Sequence, residues 1–181
     1  MIFLLRILAA FAPSALKKRE MQNLFRISAS AFGCAVPSIA ALSFRQCLPE
    51  YARFTRSEAM KLCSPGGDAE GARERLFQGG RTLGERVRRF FLIATTEEAV
   101  SAMRILYRAI GIRARSEGSA MTVRHCYFSS SYAPETCGLL SALDDGIFTG
   151  LSGGGRLRFV RRLTEGYACC RAEVIPAGGR I

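Results

Sequence analysis

The chain has 181 residues, 49% hydrophobic and 23% charged, which suits one ordinary domain with a real core and excludes a disordered or fibrous polypeptide. Its formal net charge of +11 comes almost wholly from arginine, since Lys17, Lys18 and Lys61 are the only lysines. That balance is compatible with nucleic acid, anionic lipid or an acidic ligand, and selects none of them.

The first twelve residues, MIFLLRILAAFA, are apolar but interrupted by Arg6 and followed by Pro13. As a helix they would reach about 18 Å, short of a hydrocarbon core of about 30 Å. The basic residues Lys17, Lys18 and Arg19 follow the apolar run instead of preceding it, which disfavours a cleaved signal. The expectation is a helix packed on the body of the protein, or one lying in an anionic membrane surface with Lys17–Arg19 near the headgroups.

Ser14 is a candidate cap for a helix from Ala15 to Phe32, bearing Leu24, Phe25 and Ile27, with Gly33 as its stop. Residues 35–42 contain Pro37 and form a connection. Ser43 caps a second helix running toward Cys63, which Pro49 should kink or start later. After the loop Ser64-Pro65-Gly66-Gly67, Asp68 caps a helix from Ala69 to Phe91, and Gly79-Gly80 is placed to break it in two. Thr95 or Thr96, followed by Glu97 and Glu98, starts a further helix whose apolar residues recur at helical period until Gly111.

The pattern then changes. Ile112–Arg115 and Met121–Phe128 read as strands around a turn at Glu117-Gly118-Ser119. Pro134 opens a helix carrying Leu139, Leu140, Leu143, Ile147 and Phe148, ending in Gly153-Gly154-Gly155. Arg156–Leu163 and Cys170–Ile175 complete the set as strands. The expected fold is α+β in a single domain over 1–181: a helical part, 1–111, packed on a small antiparallel β-β-α-β-β part, 112–176.

The chemistry concentrates in the second part. It holds the only histidine, His125, and four of the seven cysteines, Cys126, Cys137, Cys169 and Cys170. Seven is an odd number without the dense spacing of a secreted disulfide scaffold, so a reducing, cytoplasmic compartment is expected. Neighbours on a strand face opposite ways, so only one of His125 and Cys126 can serve a given site, and Cys126 is the better candidate. Cys137 and Asp144 stand seven residues apart, two helical turns along one face, whereas Asp145 should be solvated. Strand pairing should bring Glu165 and Cys170 toward Cys126, with Gly166 supplying a turn of positive φ. A thiol beside a carboxylate base can attack an electrophilic carbon, or the group can hold a divalent or soft metal. No Cys-x-x-Cys pair is present, and one histidine excludes a His-based zinc site. Each of these residues has a plainer reading, as a packed thiol or a structural carboxylate. Arg156, Arg158, Arg161 and Arg162 lack interleaved aromatics, which argues against a specific nucleic-acid platform and leaves a clamp for an acidic substrate open.

The ordered pattern Cys126, Cys137, Leu143-Asp144, the strand from Arg156, and E-G-x-x-x-C from Glu165 to Cys170 resembles the L-2-amino-thiazoline-4-carboxylic acid hydrolase family over the last third of the chain. The ending Gly166–Arg171 is also similar to that of 4-vinyl reductase domains, which are small-molecule-binding modules; Ala172 replaces the aromatic usual in both groups. The resemblance implies hydrolytic opening of a small cyclic sulfur–nitrogen compound, with Cys126, Cys137, Asp144, Glu165 and Cys170 as the pocket set. Two alternatives are a small-molecule- or metal-binding sensor without turnover and an accessory protein at an anionic membrane surface.

Overall fold

The computed structural model describes residues 14–178. The Met1–Ala12 segment lies outside the described residues. Five helices precede or interleave with four strands: α1 (Ser14–Phe32), α2 (Phe44–Leu62), α3 (Ala69–Phe91), α4 (Thr96–Ala109), β1 (Ile112–Glu117), β2 (Ala120–Cys126), α5 (Pro134–Ser152), β3 (Arg156–Arg161) and β4 (Cys170–Ile175). A 3-10 turn at Leu163–Glu165 separates the last two strands. The sheet is wholly antiparallel, in the order β1-β2-β4-β3. The α+β architecture expected from the sequence is present, with the helices at the N-terminal side and the sheet at the C-terminal side. No helix among the described residues is long and apolar enough to cross a membrane.

Local chemistry starts several helices where expected. Asp68 accepts a hydrogen bond from the Gly71 amide at 2.9 Å, capping α3. Thr95 and Glu98 form a reciprocal capping box at α4. At α2 the Ser43 amide and hydroxyl both donate to the Gln46 side chain. Three expectations need correction. Ser14 is itself helical. Pro49 does not delay the start of α2, because the helix begins at Phe44 and continues past it to Leu62. Gly79-Gly80 does not break α3, which runs unbroken over 23 residues.

Those glycines serve packing. α5 is the central element, with 12 of its 19 residues buried, and α3 lies parallel against it. A Cβ on Gly80 or Gly84 would collide with the Leu143 or Ile147 carbonyl oxygen of α5. One on Gly146 or Gly150 would meet the Phe77 or Arg81 carbonyl of α3. The two backbones touch directly, as glycine at i, i+4 on both helices allows. α1 crosses α3 with Phe25, fully buried, stacked near Tyr51 and Phe54 of α2. α4 packs on β1 and α5 on β3, covering one face of the sheet.

Asp145 ties α5 to β3. It takes the Arg156 guanidinium at 3.0 Å and the Leu157 amide at 2.8 Å, so it is a structural anchor and not the solvated carboxylate expected.

Candidate functional site

Two irregularities in the sheet decide which side chains meet. Along β2, Met121 and Val123 point into the core, so strict alternation would turn His125 inward and Cys126 outward. The register instead shifts: Ala114 pairs with Val123, but Arg113 pairs with His125 and Ile112 with Cys126. The extra residue, Arg124, is a bulge, and it brings Cys126 to the inner face while His125 stays exposed. β3 repeats the device. Phe159 pairs with Ala172 and Arg161 with Arg171, leaving Val160 as the extra residue, so Arg162 turns to the core side in place of Arg161. Cys170 stands directly opposite Val123 at the same end of the sheet.

The first turns of α5 close this end. Cys137 and Asp144 extend from one side of the helix toward the strand residues, as their spacing predicts. Asp144 is electrostatically coupled to Cys126, Cys137 and Cys170, which are coupled among themselves. The expected set therefore assembles, with one member displaced. Glu165 is exposed in the 3-10 turn, where its carboxylate takes the Arg162 amide at 3.0 Å and the Arg162 guanidinium at 2.9 Å. It reaches the cluster only through Arg162. That guanidinium donates to Ser141 on α5 at 3.2 Å, lies over the Phe159 ring, and draws down the pKa values of Asp144, Cys137 and Cys170.

Three further groups come from positions with no distinguishing sequence signal. Tyr107, at the end of α4, brings a buried hydroxyl that makes no hydrogen bond of ordinary geometry, although Asp144 is close enough to be affected by it. Thr164 brings a second buried hydroxyl without a partner, near Cys137. Tyr132 lies across the cluster, stacked on Phe128 at 5.5 Å, its hydroxyl 2.6 Å from Thr55. Buried polar groups normally find partners, and these two hydroxyls, one beside Asp144 and one beside Cys137, are the exceptions among the described residues.

The electrostatics follow from burial. Asp144 keeps part of its surface reachable, yet protein surrounds the carboxyl so fully that lost hydration pushes its pKa up to about 7. Neighbouring Asp145 adds repulsion, while Tyr107 and Arg162 oppose the rise. Burial pushes the Cys126 thiol up to about 11, and Cys137 and Cys170 upward as well, although the Leu163 amide donates to the Cys170 sulfur at 3.3 Å. At neutral pH the cluster holds three neutral thiols and a carboxyl poised at half-ionisation. Such a group can take or give a proton at pH 7; the thiols are not activated nucleophiles.

Among the described residues no three His, Cys, Asp or Glu side chains are arranged to hold a metal ion. All seven cysteines are free thiols. The open clefts lie elsewhere: one of about 300 Å³ between Arg81, Arg88, Arg89 and Gly153, and one of about 190 Å³ beside Pro49, Arg53, Tyr127 and Ser131. Neither contains a cluster residue or a buried unpartnered hydroxyl, so we place the site at the Asp144 cluster, where perturbed acids gather, and not at the wider openings. No protein-family model, curated protein or solved structure matches the chain.

Proposed function

We propose that the chain is a cytoplasmic small-molecule hydrolase that opens a non-peptide C–N or C–S bond of a cyclic sulfur–nitrogen compound at the Asp144 cluster. The observation carrying this reading is a carboxyl held near pKa 7 beside the buried Tyr107 hydroxyl, which lacks a hydrogen-bond partner of ordinary geometry. The resemblance of Cys126, Cys137, Leu143-Asp144 and Glu165–Cys170 to L-2-amino-thiazoline-4-carboxylic acid hydrolases supports the reaction class.

In this mechanism the Asp144 carboxylate takes a proton from water, whose oxygen attacks the ring carbon between nitrogen and sulfur. The Tyr107 hydroxyl donates toward the charge developing on the intermediate. Asp144, now protonated, returns that proton to the departing nitrogen or sulfur as the ring bond breaks, so the net change is addition of one water. The neutral thiols of Cys126, Cys137 and Cys170 give a soft, polarizable lining suited to a sulfur-bearing ring. Arg162, oriented by Glu165, supplies positive charge at the edge of the cluster.

The test is mass spectrometry on 2-aminothiazoline-type rings incubated with protein. Expected is a product heavier by one water, absent with Asp144→Asn, and a rate that rises with pH to a plateau above about 7. Saturable binding without a hydrated product would support the second reading, a ligand sensor, which the raised thiol pKa values favour. No binding by either protein would end both.

A further inference from the structure

The helices cover one face of the sheet, and the opposite face is exposed and strongly basic. It carries Arg113, Arg115, Arg124, Arg158, Arg161 and Arg171 against only Glu117 and Glu173. Arg158 is held by Glu173. The other five arginines form no ion pair with any described residue. The strand register sets them in a row: Arg115 opposite Thr122, Thr122 opposite Arg171, and Arg171 opposite Arg161. Arg113 and His125 form the next pair toward the same end, beside the bulged Arg124. Like charges directly across a ladder oppose sheet formation, and no described carboxylate forms an ion pair with either member of the Arg171–Arg161 pair. The residues outside the described range bring no carboxylate side chain either; their charges are Arg6 and Arg180.

From this row we infer that the open sheet face binds the phosphate backbone of single-stranded nucleic acid without reading its sequence. Guanidinium groups match phosphate oxygens in pairs, and a row crossing the full width of the sheet tracks an extended chain. Tyr167, half exposed with Arg161 over its ring at 5.6 Å, offers a stacking surface beside the row. An anionic membrane fits less well, because Val160 and Tyr167 are the only large exposed apolar groups near this end of β3, too few to insert into lipid. The surface lies on the other side of the sheet from the Asp144 cluster and does not depend on the hydrolase reading.

The test is fluorescence anisotropy of a labelled mixed-sequence 20-nucleotide DNA strand against the full chain. Five phosphate contacts predict a log–log salt slope of about −3.5, or about 100-fold weaker binding between 50 and 200 mM salt. Arg115→Ser/Arg161→Ser/Arg171→Ser should reduce that slope to about −1.4, and it should unfold at a higher temperature than the parent, since it removes cross-strand repulsion. Arg45→Ser/Arg56→Ser/Arg108→Ser, an equal loss of charge at other exposed sites, should leave the slope unchanged. If the triple does not fold, Arg171→Glu alone should abolish binding at 100 mM salt. Equal weakening by both triples, absence of binding at 50 mM salt, or a sheet-face effect confined to phosphatidylserine vesicles or polyglutamate would overturn the proposal.

Discussion

The buried hydroxyl of Tyr107 sits beside the Asp144 carboxyl without forming a hydrogen bond of ordinary geometry to it. An unsatisfied buried hydroxyl costs about 1–3 kcal/mol. Tyr107→Phe should therefore leave stability unchanged or raise it by about 1 kcal/mol, equivalent to about 2–4 °C in Tm for a chain of this size. The same substitution should weaken turnover or ligand binding. A large loss of stability in calorimetry would show that the hydroxyl is already satisfied by a protein partner.

Asp144 makes stability depend on pH in an unusual direction. Its folded pKa, about 7, lies above its ordinary value of 3.8, so the native state binds more protons than the unfolded chain between those limits. Stability should accordingly fall as pH rises from about 4 to above 7, by up to about 4 kcal/mol at about 1.4 kcal/mol per unit. Asp144→Asn should flatten that slope and be more stable than the parent at pH 8. Urea titrations at pH 5 and pH 8 measure both, and parallel slopes in parent and variant would show that burial does not raise the Asp144 pKa.

The thiols should divide by environment. Cys63 is exposed, whereas Cys126, Cys137 and Cys170 sit in the cluster with pKa values raised by burial. Timed alkylation at pH 8 with peptide mapping should label Cys63 first and the cluster cysteines much more slowly. Fast labelling of Cys126 would reveal an activated thiolate and move the chemistry from Asp144 to sulfur.

The helix contact predicts opposite effects for glycines in neighbouring elements. Gly84→Ala places a methyl against the Ile147 carbonyl and should cost about 3 kcal/mol or more. Gly138→Ala, in α5 with open space around its Cβ position, should gain up to about 1 kcal/mol of helix propensity. Thermal unfolding of the two variants distinguishes them by sign.

The helical front, the β-β-α-β-β back, the caps at Asp68 and Thr95, and the alignment of Cys137 with Asp144 were legible because each depends on neighbours within a few residues. Side-chain period and capping chemistry are local properties, and they determine element type without knowledge of what packs where. Cys137 and Asp144 share one side of α5 for that reason. Gly79-Gly80 was misread because a glycine pair signals a break only when nothing compensates. Here close contacts reward the missing side chains: Gly80 lies against the α5 backbone, more than sixty residues away, and Gly79 against Ile27 of α1.

The tertiary structure alone decided which face each strand residue takes at the site. A one-residue bulge reverses alternation, and whether Arg124 and Val160 bulge depends on how β1 and β4 pair with their strands. Those two shifts bring Cys126 and Arg162 inward, set Arg161 opposite Arg171 on the outer face, and leave Glu165 outside the cluster as the partner of Arg162. The orphaned hydroxyls of Tyr107 and Thr164 were equally invisible in sequence, since a missing hydrogen-bond partner is a property of the surroundings and not of the residue.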